Sequence, residues 1–131
     1  MHLSSGDLME IPQDVQRDIV NFQALQNQLN VLQAQLAQID AELRSVSEAL
    51  SALESSEDEF AYKVVGPIMV RERKSVLVAE LNERKEALEV RKKNLEKKIK
   101  QIEAKLVELK RKIEEALAKL QQVGDGAPTG G

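Results

Sequence analysis

The sequence predicts a mainly α-helical chain in which two long helices pair antiparallel as a coiled coil, with a single β-hairpin between them. Three observations carry this: where the helix breakers fall, how the apolar residues are spaced, and a strand-turn-strand pattern at mid-chain. The glycines and prolines are Gly6, Pro12, Gly66, Pro67, Gly124, Gly126, Pro128, Gly130 and Gly131. Residues 13–65 and 68–123 therefore contain neither breaker, which leaves room for two helices far longer than the usual globular helix.

The first helix is placed at 11–54. From Leu25, apolar residues recur at Leu29, Leu32, Leu36, Ile39, Leu43, Val46, Leu50 and Leu53, alternately four and three apart. That is the seam of a coiled coil. Upstream, Val15, Ile19 and Phe22 follow the same rule, but the step from Phe22 to Leu25 is three where four is due. The register slips there by one residue, which loosens the supercoil.

The second helix is placed at 75–122, with Ser75 offered as its N-cap. Its seam takes Val78, Leu81, Leu88, Leu95, Ile99, Ile102, Leu106, Leu109, Ile113, Ala116 and Leu120, with Lys85 and Lys92 in two seam positions. The runs 11–53 and 78–120 are both 43 residues long. Equal length favours antiparallel pairing in which facing residue numbers sum to about 131, as for Leu53 with Val78 and Leu29 with Ile102. Lys85 then faces Val46 and Lys92 faces Ile39, so neither has an obvious acidic mate. Their stems are expected to pack along the seam with the ammonium heads in solvent. Such a pair would run roughly 65 Å at 1.5 Å per residue, too thin to enclose a globular core.

Residues 54–77 are more than a helix turn requires. Ser55, Ser56, Glu57, Asp58 and Glu59 form a polar exit, and strand formers then flank Gly66 and Pro67. This reads as a β-hairpin at 60–73, with Gly66 supplying positive φ and Pro67 the fixed residue after it, as in a type II′ turn. Two strands alone are marginal in water. Tyr62, Val64, Val65, Gly66, Pro67, Ile68, Met69 and Val70 are therefore the candidate subunit-assembly residues, and the hairpins of several subunits are expected to join into a shared sheet or barrel.

Both chain ends meet at the other extremity of the helix pair. There Leu8, Met9, Ile11, Val15 and Ile19 lie beside Ile113, Leu117, Leu120 and Val123. A two-helix tip cannot bury all of these, so they are the candidate sticky patch for apolar surface of another protein; the plainer alternative is seam residues at fraying ends. Residues 1–10 are expected to be a flexible N-terminal segment and 124–131 a disordered Gly-rich tail, leaving 11–123 as one domain.

Composition removes most catalytic readings. There is no Cys, no Trp and one His, so disulfides, zinc-thiolate sites and cysteine nucleophiles are excluded, and His2 leaves little for histidine chemistry. Glu57, Asp58 and Glu59 are consecutive and lack the spaced ligands of a calcium loop. No glycine-rich loop follows a strand to cradle phosphates. Neither an enzyme nor a cofactor or metal is expected.

Charge is lopsided. Residues 1–62 hold eleven acids against two bases, and 83–112 hold twelve bases against six acids, so the halves should attract each other. The bases are interleaved with glutamates, lack neighbouring aromatics and lie along the seam, so nucleic-acid binding is not expected. Residues 19–39 carry no formal charge, yet nine of the twenty-one are Asn or Gln, too polar for a membrane span. With no apolar signal region at the N-terminus, a soluble cytoplasmic protein is expected.

The residues resemble the β type of prefoldin subunit. Ile11, Pro12, Val15 and Gln16 open the first helix as in that family. Tyr62, Lys63, Val65, Gly66, Pro67, Ile68 and Val70 match its hairpin, and Glu80, Leu81, Glu83, Arg84, Lys85, Glu86, Leu88, Glu89, Arg91, Leu95 and Glu96 match the start of its second helix. The likeness runs from about Ile11 to Leu120, and room for one hairpin instead of two favours the β over the α type. The resemblance implies a jellyfish-shaped heterohexamer of two α-type and four β-type subunits, whose hairpins form a double β-barrel body with six coiled-coil arms. It also implies ATP-independent holding of unfolded client proteins at the arm tips and their transfer to a group II chaperonin in the cytosol. The competing reading is a structural coiled-coil adaptor or tether that holds no clients.

Overall fold

The computed structural model describes residues 11–125, and the side chains of 11–122. In order, the elements are helix α1 (Gln13–Ser55), strand β1 (Phe60–Val65), strand β2 (Ile68–Arg73) and helix α2 (Lys74–Asp125). The expected fold class is found: two long helices with one antiparallel hairpin between them.

Pro12 opens α1 because its missing N–H costs nothing at a helix start, and its carbonyl accepts from the N–H groups of Val15 and Gln16 at 3.1 and 3.0 Å. The Gln16 Nε2 donates back to the Ile11 carbonyl at 2.7 Å, tying the preceding residue to the first turn. At the other end, Ser56 N–H reaches the Leu53 carbonyl at 3.3 Å. The Ser56 hydroxyl then accepts from Asp58 N–H at 3.2 Å, a side-chain turn that carries the chain into β1.

The entrance to α2 differs from the expected one. Ser75 lies inside the first helical turn and does not precede it. The reason is that β2 runs unbroken to Arg73, and Lys74 N–H continues the strand ladder by donating to the Glu59 carbonyl at 2.9 Å. Strand and helix therefore share a junction with no gap for a separate cap.

The hairpin pairs Phe60 with Arg73, Tyr62 with Arg71, Val64 with Met69 and Val65 with Ile68. Gly66 has φ 58°, the one positive φ among the described residues. A Cβ there would meet nothing within 4 Å, so glycine is needed for backbone conformation alone. Positive φ at the first turn residue followed by a proline fits the expected type II′ geometry.

The chain divides into two compact units. The hairpin unit, 33–97, has its core at Ile39, Val46, Leu50 and Leu88, with Leu43, Val78, Leu81 and Leu95 packed against it. Leu88 is 1% exposed, the deepest side chain. Leu77, outside the expected seam, is buried where Val78 is only half-buried. Among the described residues, the terminal unit combines 11–32 with 98–125, and buries Ile11, Val15, Leu32, Ile99, Ile102 and Leu106. Among the described residues no polar or charged side chain is buried, as a narrow leucine and isoleucine seam requires.

Candidate functional site: an uncovered hairpin and its helix base

The hairpin presents an apolar surface that its own chain does not cover. Because side chains alternate along a strand, Phe60, Tyr62 and Val64 share one face with Met69, Arg71 and Arg73, while Ala61, Lys63 and Val65 share the other with Ile68, Val70 and Glu72. Val64 is 71% exposed and Tyr62 and Met69 are each 65% exposed; Val65, Ile68 and Val70 are also exposed. All the side chains expected to mediate assembly are thus exposed in the isolated chain. Phe60 belongs with them although sequence reasoning left it out. Its ring carries the Arg71 guanidinium 3.9 Å above its centre, a cation–π contact between diagonal neighbours of one sheet face. The alternation rule, applied one pair further from the turn, would have found it.

The hairpin is tied to its own helices at the base. Lys63 Nζ pairs with Glu80 Oε2 at 3.0 Å, linking β1 to α2, and Lys74 Nζ donates to the Ser56 carbonyl at 2.5 Å. Beside β1 an open crevice of about 350 Å³ is lined by Ala49, Ala52, Leu53, Tyr62, Leu77 and Leu81.

The opposed charges of the two halves are realised in pairs across the helices. Arg84 reaches Glu42 at 2.7 Å and Lys92 reaches Asp40 at 2.8 Å in the hairpin unit, and Lys112 lies 3.7 Å from Asp18 in the terminal unit. Lys92 thus does have an acidic mate, against the expectation. Its hydrogen bond to Asp40 and the charge of that carboxylate raise its pKa above the usual 10.5.

The terminal unit holds six of the nine residues expected to form a sticky tip. Ile11 and Val15 are only 6% and 5% exposed, and Ile19, Ile113, Leu117 and Leu120 are half-buried. The Gln16 hydrogen bond ties Ile11 to the first turn, Val15 sits in the seam, and antiparallel pairing continues past Lys112 and Asp18. Leu8, Met9 and the Val123 side chain lie outside the described residues. The exposed apolar side chains of this unit are off-seam valines that sequence reasoning passed over: Val20, Val31 and Val107. Marking apolar residues that miss the heptad positions would have found them.

Among the described residues, no group of acids and histidines could hold a metal, and no helix is long and apolar enough to cross a membrane. What the chain offers is surface, concentrated where the helices join.

A long helix pair closed by one uncovered hairpin defines a class of coiled-coil proteins. Within it the sequence settles the family: the model for prefoldin subunits matches residues 16–120, and the chain belongs to that family. It is 42% identical over 82 residues to the prefoldin subunit beta of Archaeoglobus fulgidus, covering 62% of this chain and 71% of the relative. It is 40% identical over 81 residues to the prefoldin subunit beta of Sulfurisphaera tokodaii, covering 61% of this chain and 65% of that protein. The crystal structure of the prefoldin beta subunit from Thermococcus strain KS-1 superposes with a TM-score of 0.76 at 38% identity, over 82% of this chain and 96% of that one.

Proposed function

We propose that this chain is the β-type subunit of a prefoldin holdase, a heterohexamer of two α-type and four β-type subunits that captures unfolded proteins without ATP and passes them to a group II chaperonin in the cytosol. The observation that carries the assembly half is the hairpin: seven large apolar side chains, Phe60, Tyr62, Val64, Val65, Ile68, Met69 and Val70, are exposed on a two-stranded sheet with two open edges. A surface of that kind is stabilised when strands of other subunits cover it. Capture by the coiled coils needs only many weak apolar contacts, multiplied by avidity over several arms. Weak contacts also allow release without hydrolysis.

The test is aggregation of an unfolding reporter protein. The assembled complex with an α-type partner suppresses light scattering at stoichiometric amounts without ATP; a complex that assembles but leaves scattering unchanged ends the holdase reading. One observation favours the alternative of a structural adaptor or tether, namely the burial of Ile11 and Val15 where client-binding surface was expected. The same assay separates the two, because a tether assembles and does not suppress.

A further inference from the structure

Between residues 19 and 39 helix α1 carries no formal charge, and that leaves cations on the facing helix without acids. On α2, Arg84, Arg91, Lys98, Lys105, Lys112 and Lys119 recur every seven residues, each immediately before a seam position, so they line one flank of the seam. Acids on the partner helix ordinarily answer such a row. In the hairpin unit Arg84 has Glu42 at 2.7 Å, and in the terminal unit Lys112 has Asp18 at 3.7 Å. Lys105 has neither. It lines an open crevice of about 480 Å³ with Asn21, Ala24, Leu25, Glu108 and Leu109, so an amide stands where an acid would pair with it. Asn21 can accept a hydrogen bond from an ammonium but cannot neutralise it. Seven residues further along each helix, the antiparallel register sets Lys98 against Gln28 in the same way.

Among the described residues, Lys98, Lys100, Lys105 and Lys110 are exposed and form no ion pair. Glu108 lies between Lys105 and Lys112, yet over 98–112 there are six bases against two acids. The crevice also falls at the register slip. Leu25 and Leu109 are only half-buried there, so apolar surface and an unanswered ammonium share one opening. Val20 and Val107, next in sequence to lining residues, are exposed as well.

We propose that this opening selects clients by charge, taking unfolded segments whose apolar side chains are flanked by Asp or Glu and disfavouring those flanked by Lys or Arg. The inference rests on the holdase reading above and adds the class of client. Apolar contact attracts without discriminating, whereas acids on the client do for Lys98 and Lys105 what Gln28 and Asn21 do not. A nucleic acid would answer the lysines and leave the leucines and valines in water, so the occupant is a polypeptide. Each charge contact at so exposed a site is weak, as release without hydrolysis requires, and is screened by salt.

The test uses the complex assembled with an α-type partner and two dye-labelled unfolded peptides of one apolar pattern, one carrying Asp where the other carries Lys. Fluorescence anisotropy reads binding. The acidic peptide binds about tenfold tighter in low salt, and the gap closes in high salt. Asn21→Glu with Gln28→Glu completes the ion-pair row from within: helicity by circular dichroism is kept, the thermal midpoint does not fall, and the preference is lost. Lys98→Glu with Lys105→Glu inverts the preference. Equal binding of the two peptides, a preference that survives either double variant, or a charge-matched RNA oligonucleotide bound as tightly as the acidic peptide overturns charge selection and leaves the holdase reading standing. A complex that binds neither peptide overturns it too, and the aggregation assay then decides the holdase reading separately.

Discussion

Lys92 holds Asp40 across the two helices at 2.8 Å, from Nζ to Oδ1, although Lys92 sits in a seam position where a leucine or isoleucine would be expected. Its stem packs along the seam while its ammonium emerges beside the carboxylate, each side chain remaining more than a third exposed. A pair so open to water is a weak stabiliser. Lys92→Leu should therefore raise the thermal midpoint at neutral pH, since apolar burial at the seam outweighs the lost pair; a lower midpoint would mean that Lys92 is stabilising as it stands. The pH dependence has a definite sign. Because pairing raises the Lys92 pKa, its contribution is complete below the ordinary lysine value and is lost as pH rises through the raised one. The advantage of Lys92→Leu should stay flat between about pH 7 and 9 and widen only in stronger alkali.

The same pair shows what the sequence could and could not disclose. Breakers at Pro12 and at Gly66–Pro67, with the four-three alternation from Leu25 to Leu53, are signals local to the chain, so the helices, the hairpin and the antiparallel pairing were all legible. Facing numbers gave Ile39 as the residue opposite Lys92, one residue from the Asp40 that the ammonium reaches. A long flexible side chain chooses among flanking residues, however, and that choice depends on rotamers and solvent access that no spacing encodes. Ser75 was misplaced for a similar reason: a serine before a helix pattern signals a cap, but β2 continued into α2 and used the position. Val15 follows the seam spacing, whereas Ile11 precedes the helix and is tied to its first turn by a hydrogen bond from Gln16 that periodicity does not see.

Leu88 is the residue on which the hairpin unit most depends. It is 1% exposed and packs with Ile39, Val46 and Leu50, and a seam two helices wide has few neighbours able to collapse into a void. Leu88→Ala should cost about 2–5 kcal/mol in chemical denaturation. A loss below about 1 kcal/mol, the range of ordinary surface substitutions, would show that the helices repack around the gap.

The hairpin tip should behave in the opposite way. Val65 and Ile68 are 47% and 58% exposed in the isolated chain and lie far from the helix seam, so Val65→Asp or Ile68→Asp should leave helicity and thermal midpoint nearly unchanged. Each should nevertheless abolish the complex with an α-type partner, because a carboxylate at that rung would be desolvated between strands of neighbouring subunits. An unchanged elution volume for the mixed subunits would refute assembly through the hairpin.

Client capture is the function to which the terminal unit speaks most directly. If the tips hold clients, deleting residues 1–18 and 118–131 should leave the complex mass set by the hairpins and reduce suppression of reporter aggregation several-fold, since avidity compounds a small loss at every arm. The deletion removes Ile11 and Val15, which are buried in the isolated chain, so an effect on capture would mean that the helix ends open to present them. It retains Val20, Val31 and Val107, which are exposed already. Full capture by the shortened complex would therefore exclude the tips and direct attention to those three valines, where Val20→Ser, Val31→Ser and Val107→Ser should then lower capture without disturbing the seam.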